Sequence, residues 1–413
     1  MPGPGVELIG AEEIEQVLEV LNSRFLSRYG PAEDPAFGAK VHKVEQEIAA
    51  MAGVRHGLGL SGGGSAALWI ALLGLGVGPG DEVIVPGFTF VASISAIVYA
   101  RARPVLAEVD DTFCLDPADV EARITPRTRA IIVVHMLGAP ARMRELKAVA
   151  DRQGIPIIED CAQAFGASYH GRFLGGIGAV GCYSFNEFKT ITCGDGGMVV
   201  TDDEGLYNRC FAMHDQGHAP YRLESRYADR PFLGMNFRMT ELSGAVLLAQ
   251  LRKVDVIRDH LQANKAIVKE IVGEVPGVEF RRLTDERGDL ATHLVVTLPT
   301  AELAKAIADE VGSITLAESG WHVYSRMDHV MNMRTVSDRG CPYDCACTDD
   351  RRPEYAPGAL PQTDDLLERS ISIGIGVRDM NLAPYGIRMR DGGDGARALG
   401  EEFSEVARRH LGV

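Results

Sequence analysis

Between residues 40 and 205 short apolar runs alternate with stretches of helical period. Val41 to Ala52 carries apolar residues at helical spacing, and Gly64 to Leu75 places Ala66, Leu68, Ala71 and Leu72 on one face. Ser93 to Ala100 and Met143 to Gln153 read as two further helices. Between them lie compact Val/Ile runs at Asp81 to Pro86, Arg103 to Val109, Arg129 to His135 and Ile155 to Glu159. Gly181 to Phe185 and Gly197 to Thr201 complete the strands. Strands that lack polar alternation must be buried on both faces. Their separation by helices therefore predicts an α/β fold with a mainly parallel sheet covered on both sides. In such sheets ligands bind beyond the carboxyl ends of the strands. Asp160 lies at one such end, and Phe88-Thr89-Phe90 follows another.

From Thr240 to about Glu274 the pattern is long and helical, with Leu242, Leu247, Leu248, Leu251 and Val254 among its apolar positions. It reads as a bridge to a smaller α+β domain with a strand at His293 to Leu298, a helix at Ala301 to Val311 and a strand near Ser370 to Ile375. The expected division is an N-terminal segment over 1–34, a large domain over 35–260 and a small C-terminal domain over 261–413. Met327 to Pro361 is loop-rich, and no internal repeat is visible.

The chain has 413 residues, with 46% hydrophobic and 24% charged, which suits a large core. No apolar run reaches membrane-span length, and Met1 to Gly5 lacks the basic and apolar regions of a signal peptide, so a cytoplasmic enzyme is expected. A net charge of −15 with no basic, aromatic-interleaved stretch makes nucleic acid an unexpected partner. The eight cysteines read as free thiols. Cys341, Cys345 and Cys347 cluster as C-x3-C-x-C without a ligand-spaced histidine, so an ordinary loop is expected there and no metal.

Four elements carry chemistry. Ser61-Gly62-Gly63-Gly64-Ser65-Ala66-Ala67-Leu68 places glycines and a hydroxyl at a helix start, where free N–H groups favour an anion. Phe88-Thr89-Phe90 follows a buried strand, where an aromatic could stack on a flat heterocycle; the alternative is a core aromatic. Asp160, at the end of an apolar strand, is costly to bury without a cation or hydrogen-bond partner; the alternative is a cap on the next element. Lys189 follows Ser184 and precedes Gly194-Asp195-Gly196-Gly197. A lysine able to form a Schiff base and an aspartate able to pair with a pyridine nitrogen are what pyridoxal phosphate needs most.

In order and spacing these pieces resemble the DegT/DnrJ/EryC1/StrS sugar aminotransferases of fold type I. The resemblance rests on Gly64-Ser65-Ala66-Ala67-Leu68, Pro86-Gly87-Phe88-Thr89-Phe90, Glu159-Asp160-Cys161-Ala162-Gln163, Ser184-Phe185 with Lys189, and Gly234-Met235-Asn236-Phe237-Arg238-Met239. It implies that Lys189 anchors pyridoxal 5'-phosphate and that Asp160 keeps the ring nitrogen protonated. It also implies that Gln163 meets the ring hydroxyl and that Phe90 stacks on the ring. Ser65, the Ala66 N–H and Ser184 would hold the phosphate, with Gly64 also among the cofactor-binding residues. Asn236, with Arg238 as alternative, would reach the site of a second subunit in a homodimer with shared sites. Serine stands at 65 where the family usually has threonine. Gln216-Gly217, flanked by His214 and His218, stands where many members have His-Gly. The expected substrate contacts are His214, His218, Arg238, Trp321, His322 and Tyr324. The segments Lys189 to Gly194 and Trp321 to Tyr324 look most like the subgroup that aminates C8 of an octulosonate (Kdo).

The resemblance implies ping-pong transamination, with pyridoxamine phosphate as intermediate. Glutamate or glutamine would be the small-molecule donor and a keto or aldehyde sugar, or a cyclitol, the acceptor. Lys189 would serve as anchor and general base. The same lysine and aspartate would equally serve elimination, cyclisation or epimerisation. Acceptor choice is expected to lie in Phe211 to Arg226 and Trp321 to Glu354.

Overall fold

The computed structural model describes residues 3–31, 33–220, 232–336, 340–343 and 355–413. The chain's strands, in order, begin with β1 (His56–Leu60), β2 (Glu82–Pro86), β3 (Arg103–Ala107), β4 (Thr128–Val134) and β5 (Ile157–Asp160). A two-stranded hairpin, β6 (Ser168–Tyr169) and β7 (Arg172–Phe173), precedes β8 (Val180–Ser184) and β9 (Gly197–Thr201). The large sheet has the order β1-β9-β8-β5-β4-β2-β3. Neighbours from β3 to β8 run parallel, while β9 is antiparallel to both β8 and β1. One strand of seven is thus reversed, which agrees with the mainly parallel sheet expected. Val83, Ile84, Val85, Ile131, Ile132, Val133 and Ile158 are at or near zero exposure, as strands covered on both faces require.

β5 is the central strand, so its carboxyl end, Asp160, faces the middle of the sheet edge. The carboxyl ends of β4 and β8 flank it, and the end of β2 runs through Phe88-Thr89-Phe90 into the helix Val91–Tyr99. β1 leads through Ser61-Gly62 into the helix Gly63–Gly74. β1 was not visible in the apolar pattern, because His56-Gly57-Leu58-Gly59-Leu60 has no β-branched residue. Its glycines have a packing reason: a Cβ on Gly57 would lie 2.5 Å from the Glu45 carbonyl oxygen of helix Lys40–Ala52.

A second sheet contains β10 (Glu279–Phe280), β11 (His293–Thr297), β12 (Ser370–Gly376) and β13 (Gly386–Arg388), in that order. The long helical stretch is two helices, Glu241–Leu251 and Val254–Val272, and residue 260 falls inside the second. Helices at Ala11–Ser23, Glu204–His214 and Gly392–Leu411 were not expected from the pattern. The last begins Gly392-Gly393-Asp394-Gly395, a composition that reads as loop until its packing partner is known. Trp321 to Tyr324 docks on the loop after β2: Thr89 N donates to His322 O at 2.9 Å, Val91 N to Trp321 O at 3.0 Å and Tyr324 N to Gly87 O at 2.9 Å. Among the described residues, no helix is long and apolar enough to cross a membrane.

His214 and His293 are buried, and desolvation pushes both down to about 3 from 6.5. Below pH 6.5 the unfolded chain binds protons that the folded chain refuses, so stability falls as pH drops through that window. Each histidine contributes at most about 1.4 kcal/mol per pH unit. Urea unfolding at pH 7, 6 and 5 should show a falling midpoint, and His214→Gln should flatten the slope. A midpoint that is constant or rises toward pH 5 would contradict this.

Candidate active site

A cavity of about 120 Å³ opens at the carboxyl edge of the large sheet. Gly64, Ser65, Phe90, Asp160, Gln163, Ser184 and Lys189 line it together with Gly62, Gly63, Thr89, Ser93, Asn186 and Asp195. Seven of the residues expected to bind the cofactor therefore meet at one place, although they span 126 positions from Gly64 to Lys189.

Asp160 is 5% exposed. Its Oδ2 accepts from Ser93 Oγ at 2.7 Å and its Oδ1 from Ala162 N at 3.0 Å. Burial pushes the carboxyl above its usual range, against the pull of those two bonds and of the Lys189 amine. Ser93 is in turn bonded to Thr89 Oγ1 at 2.8 Å. This hydroxyl relay was missed in the sequence; its only trace is the i, i+4 spacing of Thr89 and Ser93 after the aromatic. Desolvation lowers the Lys189 amine, opposed by the Asp160 and Asp379 carboxylates. A lysine held nearer neutrality is the nucleophilic form.

The helix Gly63–Gly74 supplies the anion end. The N–H groups of Gly63, Gly64 and Ser65 have no partner four residues back inside the helix. Ala66 differs from expectation: its N–H donates to Gly62 O at 3.3 Å, and Ala66 does not line the cavity. A Cβ on Gly64 would lie 2.9 Å from Ser184 Cβ, so only glycine lets the helix start approach Ser184 this closely. Gln163 Oε1 accepts from Leu137 N at 2.8 Å. That bond fixes the amide orientation and leaves the Nε2 side as the donor. Phe90 is 42% exposed, and its ring centroid lies 5.3 Å from that of His322.

The residues expected at the substrate fare differently. None of His214, His218, Arg238, Trp321, His322 and Tyr324 lines the cavity. His214 is fully buried in the core, with Nδ1 2.7 Å from Phe211 O and Nε2 3.3 Å from Arg28. Tyr324 is also fully buried, donating to Asp364 Oδ2 at 2.8 Å. These two are packing residues of this chain, because neither has a surface to offer a ligand. His322 is 3% exposed, bonded to Ser319 Oγ at 2.9 Å, and sits against Phe90. Trp321 is half exposed, and His218 is partly buried with its N–H on Asp215 O. Arg238 is ion-paired with the buried Asp215. Asn236 is exposed and does not line this chain's own cavity. Residues 221–226 and 344–354, and with them Cys345 and Cys347, lie outside the described residues.

His135, Glu159 and Cys161 bring potential metal ligands within 4.8 Å. Ala141 N donates to His135 Nδ1 at 3.1 Å, so Nε2 carries the proton and donates to Glu159. Glu159 also accepts from the N–H groups of Gly175, Ile177 and Gly178. Burial raises its carboxyl, but His135 and these N–H groups outweigh burial and hold it below the usual range. The cluster is a satisfied hydrogen-bond network that braces the strand end beside Asp160.

A sheet of this order with a lysine and an aspartate at its carboxyl edge is the architecture of fold type I transferases that use pyridoxal phosphate. Residues 7–322 match the DegT/DnrJ/EryC1/StrS aminotransferase family, and the chain belongs to it. It is 38% identical over 283 residues to an L-glutamine:2-deoxy-scyllo-inosose aminotransferase of Streptoalloteichus tenebrarius, covering 65% of this chain and 66% of that one, just under two thirds of the relative's length. It is 40% identical over 299 residues to a GDP-perosamine synthase of Escherichia coli O157:H7, covering 68% and 79%. The crystal structure of a 3-amino-5-hydroxybenzoic acid (AHBA) synthase superposes with a TM-score of 0.78 at 28% identity, covering 97% of each chain.

Ser93→Ala should leave Asp160 buried with one bond fewer, and so favour its neutral form. Loss of one hydrogen bond to a charged group, about 1.5 kcal/mol, predicts roughly tenfold weaker retention of pyridoxal phosphate. Absorbance titration of the apoprotein checks this; unchanged affinity would remove Ser93 from the site.

Proposed function

We propose that the protein is a pyridoxal phosphate-dependent aminotransferase that carries an amino group from glutamate or glutamine to a keto or aldehyde carbon of a sugar or sugar-like cyclitol. The observation that carries this reading is the buried Asp160 and the depressed Lys189 lining one cavity with an anion-binding helix start. The donor set suits the cofactor. A carboxylate too buried to be comfortable alone is matched by a cationic ring nitrogen, and the Gly63–Ser65 helix start by a phosphate.

When bound, the cofactor would supply an electron sink. Lys189 would hold it through Nζ and would move a proton at the donor Cα. Asp160, its position set by Ser93 and Ala162, would face the ring nitrogen and keep it protonated. Gln163 would offer Nε2 to the ring hydroxyl, its Oε1 held by Leu137 N–H. Phe90 would cover one ring face and keep water from it. Ser65 and Ser184 would donate to the phosphate.

The acceptor reading is narrower. Lys189 to Gly194 and Trp321 to Tyr324 resemble the subgroup that aminates C8 of an octulosonate (Kdo), while the relatives named above carry cyclitol and nucleotide-sugar names. We take the working form to be a cytoplasmic homodimer with shared sites. Ile14, Leu18 and Leu21 form an exposed stripe on the helix Ala11–Ser23, an apolar face of the kind a second copy would cover. Asn236 and Arg238 would then reach the neighbouring phosphate.

Wild-type protein loaded with the cofactor should release one 2-oxoglutarate per site on mixing with glutamate, or the corresponding 2-oxo acid with glutamine. Lys189→Ala should lower turnover by at least about a thousandfold. Retained turnover in that variant, or no 2-oxo acid from any common amino donor with the wild type, would overturn the reading.

A further inference from the structure

The loop that carries Lys189 is held from behind by residues far away in sequence. Gly3 N donates to Glu187 O at 2.7 Å, and a Cβ on Gly3 would collide with the Lys189 carbonyl oxygen. Pro4 and Gly5 are buried against the same loop. A Cβ on Gly5 would lie 2.8 Å from Ile191 Cα and 2.9 Å from Thr190 O. Gln250, fully buried on helix Glu241–Leu251, joins the two segments. Its Nε2 donates to Gly5 O at 3.1 Å and its Oε1 accepts from Thr192 N at 3.3 Å. The same Nε2 reaches Glu13 Oε1 at 2.9 Å. Glu13 is itself fixed by Gly10 N at 2.8 Å and by Lys253, which also donates to Leu8 O. At the far end Glu7 Oε2 accepts from Arg390 N at 3.2 Å, next to β13.

We propose that Gly3 to Gly5, clamped by Gln250 and Glu13, is a positioning strap that holds the Glu187–Thr192 loop so that Lys189 stays aimed at Asp160. The loop needs such a wall. It runs from Phe185 to Gly196 without regular structure, and its outer side chains, Glu187 and Phe188, are exposed. Its own bonds, Lys189 N to Asn186 O and Cys193 N to Phe185 O, close turns but do not tie it to the fold. A lysine that serves in turn as anchor and as base must keep its amine placed to within about an ångström, since a misplacement of that size costs about a hundredfold. The two glycines are required because backbone meets backbone there with no room for a side chain. Gly5 and Gln250 act through Lys189 and touch no substrate.

The inference rests on Lys189 being the catalytic lysine, and the test separates the two. Wild type is compared with Gly5→Ala, Gln250→Met and Gly10→Ala. The last is the control: it lies in the same segment, and the nearest atom to an added Cβ is 3.8 Å away. Hydrogen exchange of amides 187–193 is measured alongside kcat and KM for glutamate, and the pH midpoint of the absorbance of the Lys189-bound cofactor. Gly5→Ala should speed exchange in 187–193 but not in β8 or β9, and should move the pH midpoint. Its kcat should fall about tenfold while KM stays within about twofold. Gln250→Met, which removes the amide without adding bulk, should do the same if Gly5→Ala does not fold. If the wild type reacts with glutamate but these variants match Gly10→Ala in exchange, midpoint and kcat, the strap is overturned. If the wild type does not react, the functional reading fails instead. The exchange data, which need no chemistry, still decide the strap.

Discussion

A carboxylate buried at the end of the central strand is the constraint around which this molecule is arranged. Asp160 has almost no access to water, so its charge must be stabilised by groups brought to it. Each group comes from a different element. Ser93 arrives on the helix that follows β2, and Ala162 N on the turn after β5 itself. Lys189 comes from the loop between β8 and β9. The same placements deliver the rest of the site. Phe90 stands at the start of the helix that carries Ser93, and Gln163 adjoins the turn that carries Ala162. One electrostatic requirement thus ties the topology of the sheet to the composition of the cavity.

Much of this was legible along the chain, for physical reasons. Strands β2, β4 and β5 are continuous apolar runs because they are covered on both faces, and continuous runs are easy to see. Asp160, Lys189, Ser184 and the glycine-rich helix start stood out because each places costly or unusual chemistry at an element end. What was not legible depended on tertiary contact. β1 is a strand of glycine and leucine whose form is dictated by the helix lying on it. Ser93 is an ordinary helical serine until β5 is set beside it. His214 and Tyr324 were plausible ligands by type and position, and the fold buries both in hydrogen-bonded packing. The Gly3–Gly5 contact with the lysine loop joins segments more than 180 residues apart, which no local pattern reports.

The relatives at 38% and 40% identity carry different names, one that of a cyclitol aminotransferase and one that of a perosamine synthase. Of the groups expected at the cofactor, Asp160 and Ser184 close strands β5 and β8, which are rigid positions. Trp321 and His322 dock by backbone bonds on the loop after β2, where His322 sits against Phe90.

The proposed function requires Lys189 to be the covalent anchor, with Asp160 in the same cavity. Borohydride reduction of the cofactor-loaded protein, followed by proteolysis and mass spectrometry, tests it most directly. A single phosphopyridoxyl adduct should form, on Lys189, with cleavage after that residue blocked, and it should be lost in Asp160→Ala or at least drop markedly in yield. An adduct on any other lysine, or none, would contradict it.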